Sequence, residues 1–164
     1  MNIRNAELSD ALQITHIYNH YIRTSHATFE LEPIDSREME RRLTDVIGAG
    51  YPFLIAELAG DIIGYTYGRP FRPRAAYRHS IEISVYVKQG FERLAIATEL
   101  YERLFADIQN GDYHAVIAGI SLPNDASVSL HEKFGLKKVA QFAEVGFKFG
   151  RWIDVGYWQL ILSE

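Results

Sequence analysis

The chain has 164 residues, 48% of them apolar, which suits one domain with a sizeable core and excludes a disordered chain. A net charge of −4 and the absence of cysteine exclude a general polyanion partner such as nucleic acid, disulfides, thiolate nucleophiles and cysteine metal sites. The amino terminus has no apolar signal core, and no apolar run approaches the roughly 20 residues that span a bilayer, so a soluble cytoplasmic protein is expected.

A short strand opens the chain. A helix is predicted over 9–23, with Ser9 as N-cap and Asp10 in the first turn, because Leu12, Ile14, Ile17, Tyr18, Tyr21 and Ile22 recur at helical spacing. A polar loop ends at Glu32-Pro33. Asp35 or Ser36 then caps a second helix, which buries Met39, Leu43, Val46 and Ile47 and stops at Gly48 and Gly50. The period changes to two over 53–58 and 62–67, which flank Ala59-Gly60-Asp61 and read as a hairpin. An arginine-rich loop covers 69–78, and a strand covers 79–87. A helix over 94–110 turns Leu94, Ala97, Leu100, Tyr101, Leu104, Phe105 and Ile108 inward and stops at Gly111. His114–Ile120 reads as a buried strand. Asn124 caps a short helix that ends near Phe134 with Gly135 behind it, and strands over 137–149 and 152–162 turn at Gly150. The order βααβββαβαββ points to one domain over 1–164 with a mixed α/β, α+β-like sheet.

No phosphate-binding P-loop, dinucleotide-binding glycine motif, nucleophile elbow or histidine zinc spacing occurs. Two features carry chemistry. Arg69, Arg72, Arg74 and Arg78 fall within ten residues, and forked guanidinium donors suit carboxylate or phosphonate-like oxygens; the segment is either the rim of a pocket for a small anion or a solvated charged loop. Glu82 shares a strand face with Ser80 and Ser84, opposite Ile81, Ile83 and Val85. It is either a general base beside the arginines or part of an exposed face. The helix starts near 93 and 124 offer free amides that suit phosphates. Lys88 and Arg93 favour an anion at the first, and Glu92 opposes one.

Taken together, a set of segments resembles the phosphinothricin acetyltransferases of the GNAT class over nearly the whole chain and in the same order. They are Tyr18-Asn19-His20-Tyr21-Ile22, Thr28-Phe29, Glu32-Pro33, Pro70-Phe71-Arg72-Pro73-Arg74 with Tyr77, and Glu82-Ile83-Ser84-Val85-Tyr86-Val87. Leu122-Pro123-Asn124-Asp125, Leu130-His131-Glu132 and the closing stretch from Gly146 to Leu160 complete the set. The resemblance implies the GNAT fold, a mostly antiparallel sheet flanked by helices and splayed where acetyl-CoA enters between the strands at 79–87 and 114–120. It implies direct acetyl transfer, with no metal and no covalent enzyme intermediate, to the α-amino group of a small amino-acid analogue. Phosphinothricin and methionine sulfoximine are the candidates, with a role in detoxification and herbicide resistance.

Carried over by resemblance, Glu82 is the general base and His131 takes the place of the general acid toward the leaving thiolate, a place that equally suits a core histidine. Phe29, Glu32, Arg72, Arg74 and Tyr77 bind the amino substrate. Val85, Tyr86, Val87, Arg93, Leu94, Ala95, Ile96, Ala97, Thr98 and Asn124 bind acetyl-CoA. A homodimer is implied, and the aromatic residues Phe147, Phe149, Trp152, Tyr157 and Trp158 suit either its interface or the core. One motif departs. The family's pyrophosphate loop reads Gln/Arg-x-x-Gly-x-Gly/Ala, whereas Glu92-Arg93-Leu94-Ala95-Ile96-Ala97 matches it only at the last position. Glu92 brings a negative charge toward two phosphates, and any positive φ at Ala95 is costly. The competing expectation is therefore a catalytically weakened GNAT-fold protein that binds or senses a small anionic metabolite.

Overall fold

The computed structural model describes residues 1–92 and 94–162. Its elements follow the expected order: β1 (Asn2–Asn5), α1 (Ala11–Thr24), α2 (Ser36–Gly48), β2 (Phe53–Leu58), β3 (Asp61–Pro70), β4 (Ser80–Val87), α3 (Ile96–Gln109), β5 (Ala115–Ser121), α4 (Asp125–Lys133), β6 (Lys137–Lys148) and β7 (Arg151–Ile161). The strands make a seven-stranded sheet in the order β1-β2-β3-β4-β5-β7-β6. All neighbours are antiparallel except β4 and β5. A parallel pair needs a crossover connection, and α3 supplies it.

The sheet is covered on both faces. Leu54, Ala56, Ile81, Ile83, Val116 and Ala118 pack with Leu100, Tyr101, Leu104 and Ile108 of α3. Phe53, Ile55, Ile62 and Tyr65 pack with Ile14, Ile17, Tyr18 and Ile22 of α1 and with Met39 and Leu43 of α2. Central strands therefore read as continuous apolar runs rather than as clean alternation. Ala59 and Gly60 have φ of 52° and 88°, the positive pair that a two-residue turn with the right twist requires. Asp35 caps α2 by accepting from the Glu38 amide at 2.9 Å.

Some local expectations are corrected. Ser9 does not cap α1. The chain enters the helix through a 3-10 turn at Leu8–Asp10, where the Asp10 carboxylate accepts from the Glu7 amide at 2.8 Å. Arg4 holds both Asp10 oxygens at 2.8 and 2.9 Å, which satisfies a buried charge. Leu12, Ile47 and Leu94 are exposed. The buried stripe of α1 runs instead through Ala11, Ile14, Thr15, Tyr18 and Ile22. Ile47 lies one turn beyond Leu43, the last fully buried residue of α2, and Leu94 precedes the first turn of α3. Among the aromatic residues of the last two strands, Trp158 belongs to the core, whereas Phe147, Phe149 and Trp152 are exposed. Among the described residues no helix is long and apolar enough to cross a membrane.

Candidate active site

β4 and β5 pair only at Ser80–Ala115, Ile81–Val116 and Glu82–Ile117. Beyond Glu82 they part, β4 staying beside β3 to Val87 and β5 beside β7 to Ser121. Their inner edges then carry backbone groups with no ladder partner among the described residues, and such groups demand hydrogen-bond partners. A cleft of about 470 Å³ opens at the split, lined by Tyr21, Ser84–Val87, Gly119–Ser121, Asn124, Ser127 and His131 among others. This is the splay expected from the sequence.

Glu82 stands at the fork, on the face that carries Ser84 and Tyr86 and opposite Ile81 and Ile83. That face is only partly exposed. Residues 27–30 and α2 border it around a half-open cavity of about 700 Å³. A second cavity of about 320 Å³ lies between Glu82, Phe29, Gly119 and the strands β6 and β7. Glu82 lines both, and its side chain is 14% exposed. Arg69, directly across the ladder on β3, donates to Glu82 Oε1 at 2.6 Å. Oε2 makes no hydrogen bond among the described residues. Gly119 lines all three spaces; a strand glycine marks a place where a ligand can approach the backbone closely.

The floor of the larger cavity is a row of aromatic rings. Phe53 stacks on Tyr67 at 5.1 Å and Tyr65 on Tyr86 at 5.3 Å. Burial pushes the Tyr65 and Tyr86 phenols well above their ordinary range, so they stay neutral. Arg42 of α2 grips Glu30 with two bonds of 2.8 and 2.6 Å and holds its carboxyl below the usual range. Burial and Glu30, which accepts from the Tyr18 hydroxyl, push the Tyr18 pKa up to about 12. Lys148, 2% exposed, donates to the carbonyls of Ser25 and Thr28 at 2.7 Å each. The covering segment is thus clamped from α2 on one side and from β6 on the other. Phe29 lies against the bare backbone of Gly146, where a β-carbon would collide with its ring.

At the mouth of the cleft the chain turns into α3. Glu92 folds back so that Oε2 accepts from the Gly90 amide at 2.9 Å. Ala95 caps α3 at φ 57° and ψ 12°, the left-handed region that costs a β-carbon about 1–2 kcal/mol. The strain expected of an alanine in place of glycine is therefore present. Val85, Tyr86, Val87, Glu92, Ala97 and Asn124 line the cleft. Leu94, Ala95 and Thr98 are not among its lining, and the Ile96 side chain is buried in the core. Arg93 lies outside the described residues. The unpaired strand edges, together with the free amides of the first turn of α3, fit a pantetheine arm and its phosphates. The Glu92 carboxylate does not.

The expected acid, His131, is only 4% exposed. Its Nδ1 lies 2.7 Å from the Ser127 carbonyl and so must donate. Nε2, 2.8 Å from the Tyr101 hydroxyl, then accepts. Both nitrogens are engaged within the fold, although the residue also lines the cleft. Burial pushes the imidazole below 6.5, and the folded protein binds fewer protons here than the unfolded chain. Stability is therefore complete above pH 6.5 and falls as the pH drops below it, with a slope of at most about 1.4 kcal/mol per pH unit from this histidine. Urea titrations between pH 7 and 5 should show this loss, and His131→Asn should flatten the slope.

The substrate residues taken from the resemblance separate into two groups. Phe29 lines both cavities with Glu82. Glu32, Arg72, Arg74 and Tyr77 line neither. Arg72 lies on the ring of Phe71 at 4.3 Å and donates to the Phe71 carbonyl at 3.0 Å. Tyr77 meets the same ring edge-on at 5.8 Å, and Arg74 precedes the 3-10 turn at Ala75–Tyr77. The arginines in the cavity are Arg41, Arg42 and Arg69; of these, sequence reasoning singles out only Arg69, as part of the arginine-rich loop. Arg69 has a signal in hindsight, since two antiparallel strands place it opposite Glu82. Arg42 has none beyond its i,i+4 relation to Glu38, because its main partner is Glu30 in the neighbouring loop.

The comparisons with known proteins agree with this geometry. Residues 3–156 match the acetyltransferase (GNAT) domain family. The phosphinothricin N-acetyltransferase of Streptomyces viridochromogenes is 38% identical over 97% of this chain and 86% of its own length. A methionine sulfoximine/methionine sulfone acetyltransferase of Salmonella typhimurium is 34% identical over 100% of this chain and 96% of its own. The crystal structure of a GNAT superfamily phosphinothricin acetyltransferase from Sinorhizobium meliloti in complex with acetyl-CoA superposes with a TM-score of 0.95 at 32% identity, covering 99% of this chain and 88% of that one. The chain therefore belongs to the GNAT acetyltransferases, on the branch of the phosphinothricin N-acetyltransferases.

Proposed function

We propose that this enzyme moves an acetyl group from acetyl-CoA to the α-amino group of a small amino-acid analogue of the phosphinothricin or methionine sulfoximine type, directly and without a covalent enzyme intermediate. The observation that carries this is Glu82 at the fork of β4 and β5, lining the two cavities that share Gly119 with the cleft, with Oε1 held by Arg69 and Oε2 without a hydrogen bond among the described residues. Glu82 takes a proton from the substrate ammonium so that the nitrogen lone pair can attack the thioester carbonyl. Arg69 commits one of its five guanidinium donors to Glu82 and keeps the others for a substrate carboxylate or tetrahedral oxygen. Phe29 covers the site, while Glu32, Arg72, Arg74 and Tyr77 form an outer rim that guides an anion inward. Val85, Tyr86, Val87, Ala97 and Asn124 hold the pantetheine side, with the amides at the start of α3 toward the phosphates.

Phe142, Val145 and Phe147 of β6, Phe149 of the turn and Trp152 of β7 are all exposed, an apolar content that supports a homodimer. We place the protein, as a single acetyltransferase domain, in the cytoplasm with a role in detoxification. Kinetics with methionine sulfoximine test the anchoring roles. Arg72→Ala should raise KM severalfold and Arg69→Met should raise it more, both with acetyl-CoA affinity unchanged; two unchanged KM values would remove both arginines from substrate binding. The second reading, a weakened protein that binds or senses an anionic metabolite, has one observation in its favour, the Glu92 and Ala95 loop.

A further inference from the structure

Acetyl transfer through Glu82 leaves one proton without a carrier. An ammonium substrate must lose two protons to become an amide. Glu82 accounts for the first. The second leaves nitrogen as the N–C bond forms and the C–S bond breaks, and the departing sulfur needs a proton at that moment. His131 has both nitrogens engaged inside the fold, Nδ1–H with the Ser127 carbonyl and Nε2 with the Tyr101 hydroxyl.

Resting on the acetyl-transfer reading, we infer that His26 is a further catalytic residue, the proton carrier between the accepting nitrogen and the leaving sulfur. Four residues border both the cavity of about 320 Å³ that contains Glu82 and the donor cleft: His26, Ala27, Gly119 and Ser121. Of these, only His26 has a side chain that takes up and releases protons near neutrality. The Ser121 hydroxyl is already committed, donating to the His26 carbonyl at 2.5 Å. Its oxygen then accepts from His26 Nδ1 at 3.0 Å, which places the ring proton on Nδ1. Nε2 keeps a lone pair and has no hydrogen bond among the described residues. The ring is thus oriented by β5 through Nδ1 and keeps Nε2 as a basic nitrogen on a residue that borders both the acceptor and the donor spaces. Nε2 takes the second proton from the acylating nitrogen and hands it to the sulfur, so the imidazole ends each cycle neutral.

The surroundings favour a neutral resting ring. Burial, Arg151 of β7 and Lys148 of β6 hold the imidazole below 6.5. Glu82 of β4 and Tyr157 of β7 share the cavity, and Glu92 and His131 share the cleft. At pH 7 the ring is ready to accept a proton, and acidification should silence it.

The test uses the full chain with acetyl-CoA and methionine sulfoximine. In His26→Asn the amide nitrogen can replace Nδ1 toward Ser121. The variant should lose about 100-fold in kcat, keep KM within twofold, bind acetyl-CoA as the wild type does, and show a shifted acidic limb of the kcat/KM profile. Added imidazole should partly restore His26→Ala. Nitrogen-15 NMR of the ligand-free wild type at pH 7 should show His26 protonated on Nδ1 alone. A His26→Asn enzyme with wild-type kcat and an unchanged pH profile, or an NMR signature of the Nε2–H form, overturns the inference while leaving acetyl transfer intact. A wild-type protein that releases no CoA overturns the acetyl-transfer reading and this inference with it.

Discussion

Replacing Glu82 by glutamine should lower kcat by about 10²–10⁴-fold, the range that a positioned general base contributes. The exchange keeps the shape of the side chain and an oxygen for Arg69, so the cavity survives and only the basic function goes. With acetyl-CoA in the cleft on the other side of the fork, as proposed, its affinity, measured by calorimetry, should change little. The expected pattern is loss in kcat and kcat/KM together, which identifies an interaction made in the transition state. A fully active variant would remove Glu82 from the mechanism despite its place where β4 and β5 separate.

The second large effect concerns the loop before α3. Ala95 sits at φ 57°, and glycine there should relieve about 1 kcal/mol of backbone strain, less what the unfolded chain gains in freedom. Glu92, whose carboxylate accepts from the Gly90 amide, adds a negative charge where the proposed site takes the donor's phosphates. Glu92→Gln and Ala95→Gly together should tighten acetyl-CoA binding by about tenfold or more at low salt, an advantage that shrinks as added salt screens the charge. Calorimetry on the wild type, both single variants and the double variant separates charge from strain. Equal affinities in all four would show that the loop does not limit donor binding. A wild-type protein that binds no acetyl-CoA even at millimolar concentration, with binding restored in the double variant, would favour the metabolite-sensing reading for the natural chain.

The order of elements was legible because each has a local signature: Asp35 and Asn124 as caps, Ala59-Gly60 and Gly150 as turns, and helical spacing through α3. Ser9, Leu12 and Leu94 misled because a cap or a stripe read from spacing cannot anticipate a tertiary partner. Asp10 serves Arg4 and Glu7 instead of leaving Ser9 to cap. The lining of the cavities and the cleft was legible where one strand carries it, as at Glu82 and Val85–Val87. It was not legible where separate segments meet. Arg42 acquires its role from Glu30, His26 from Ser121 across 95 residues of sequence, and Lys148 from carbonyls more than 100 residues earlier. His131 shows the opposite case. Its position matched a catalytic place by resemblance, and only the structure reveals that it is buried with both nitrogens hydrogen-bonded.

CoA release reports acetyl transfer to an amino-acid analogue directly. Because the chain has no cysteine, a thiol reagent reads only the CoA set free, with no background from the protein. Wild-type protein mixed with acetyl-CoA and methionine sulfoximine should release CoA in step with N-acetyl product identified by mass spectrometry, and Glu82→Gln should not. No CoA release with methionine sulfoximine, phosphinothricin or a panel of other amino acids would contradict an amino-acid acetyltransferase.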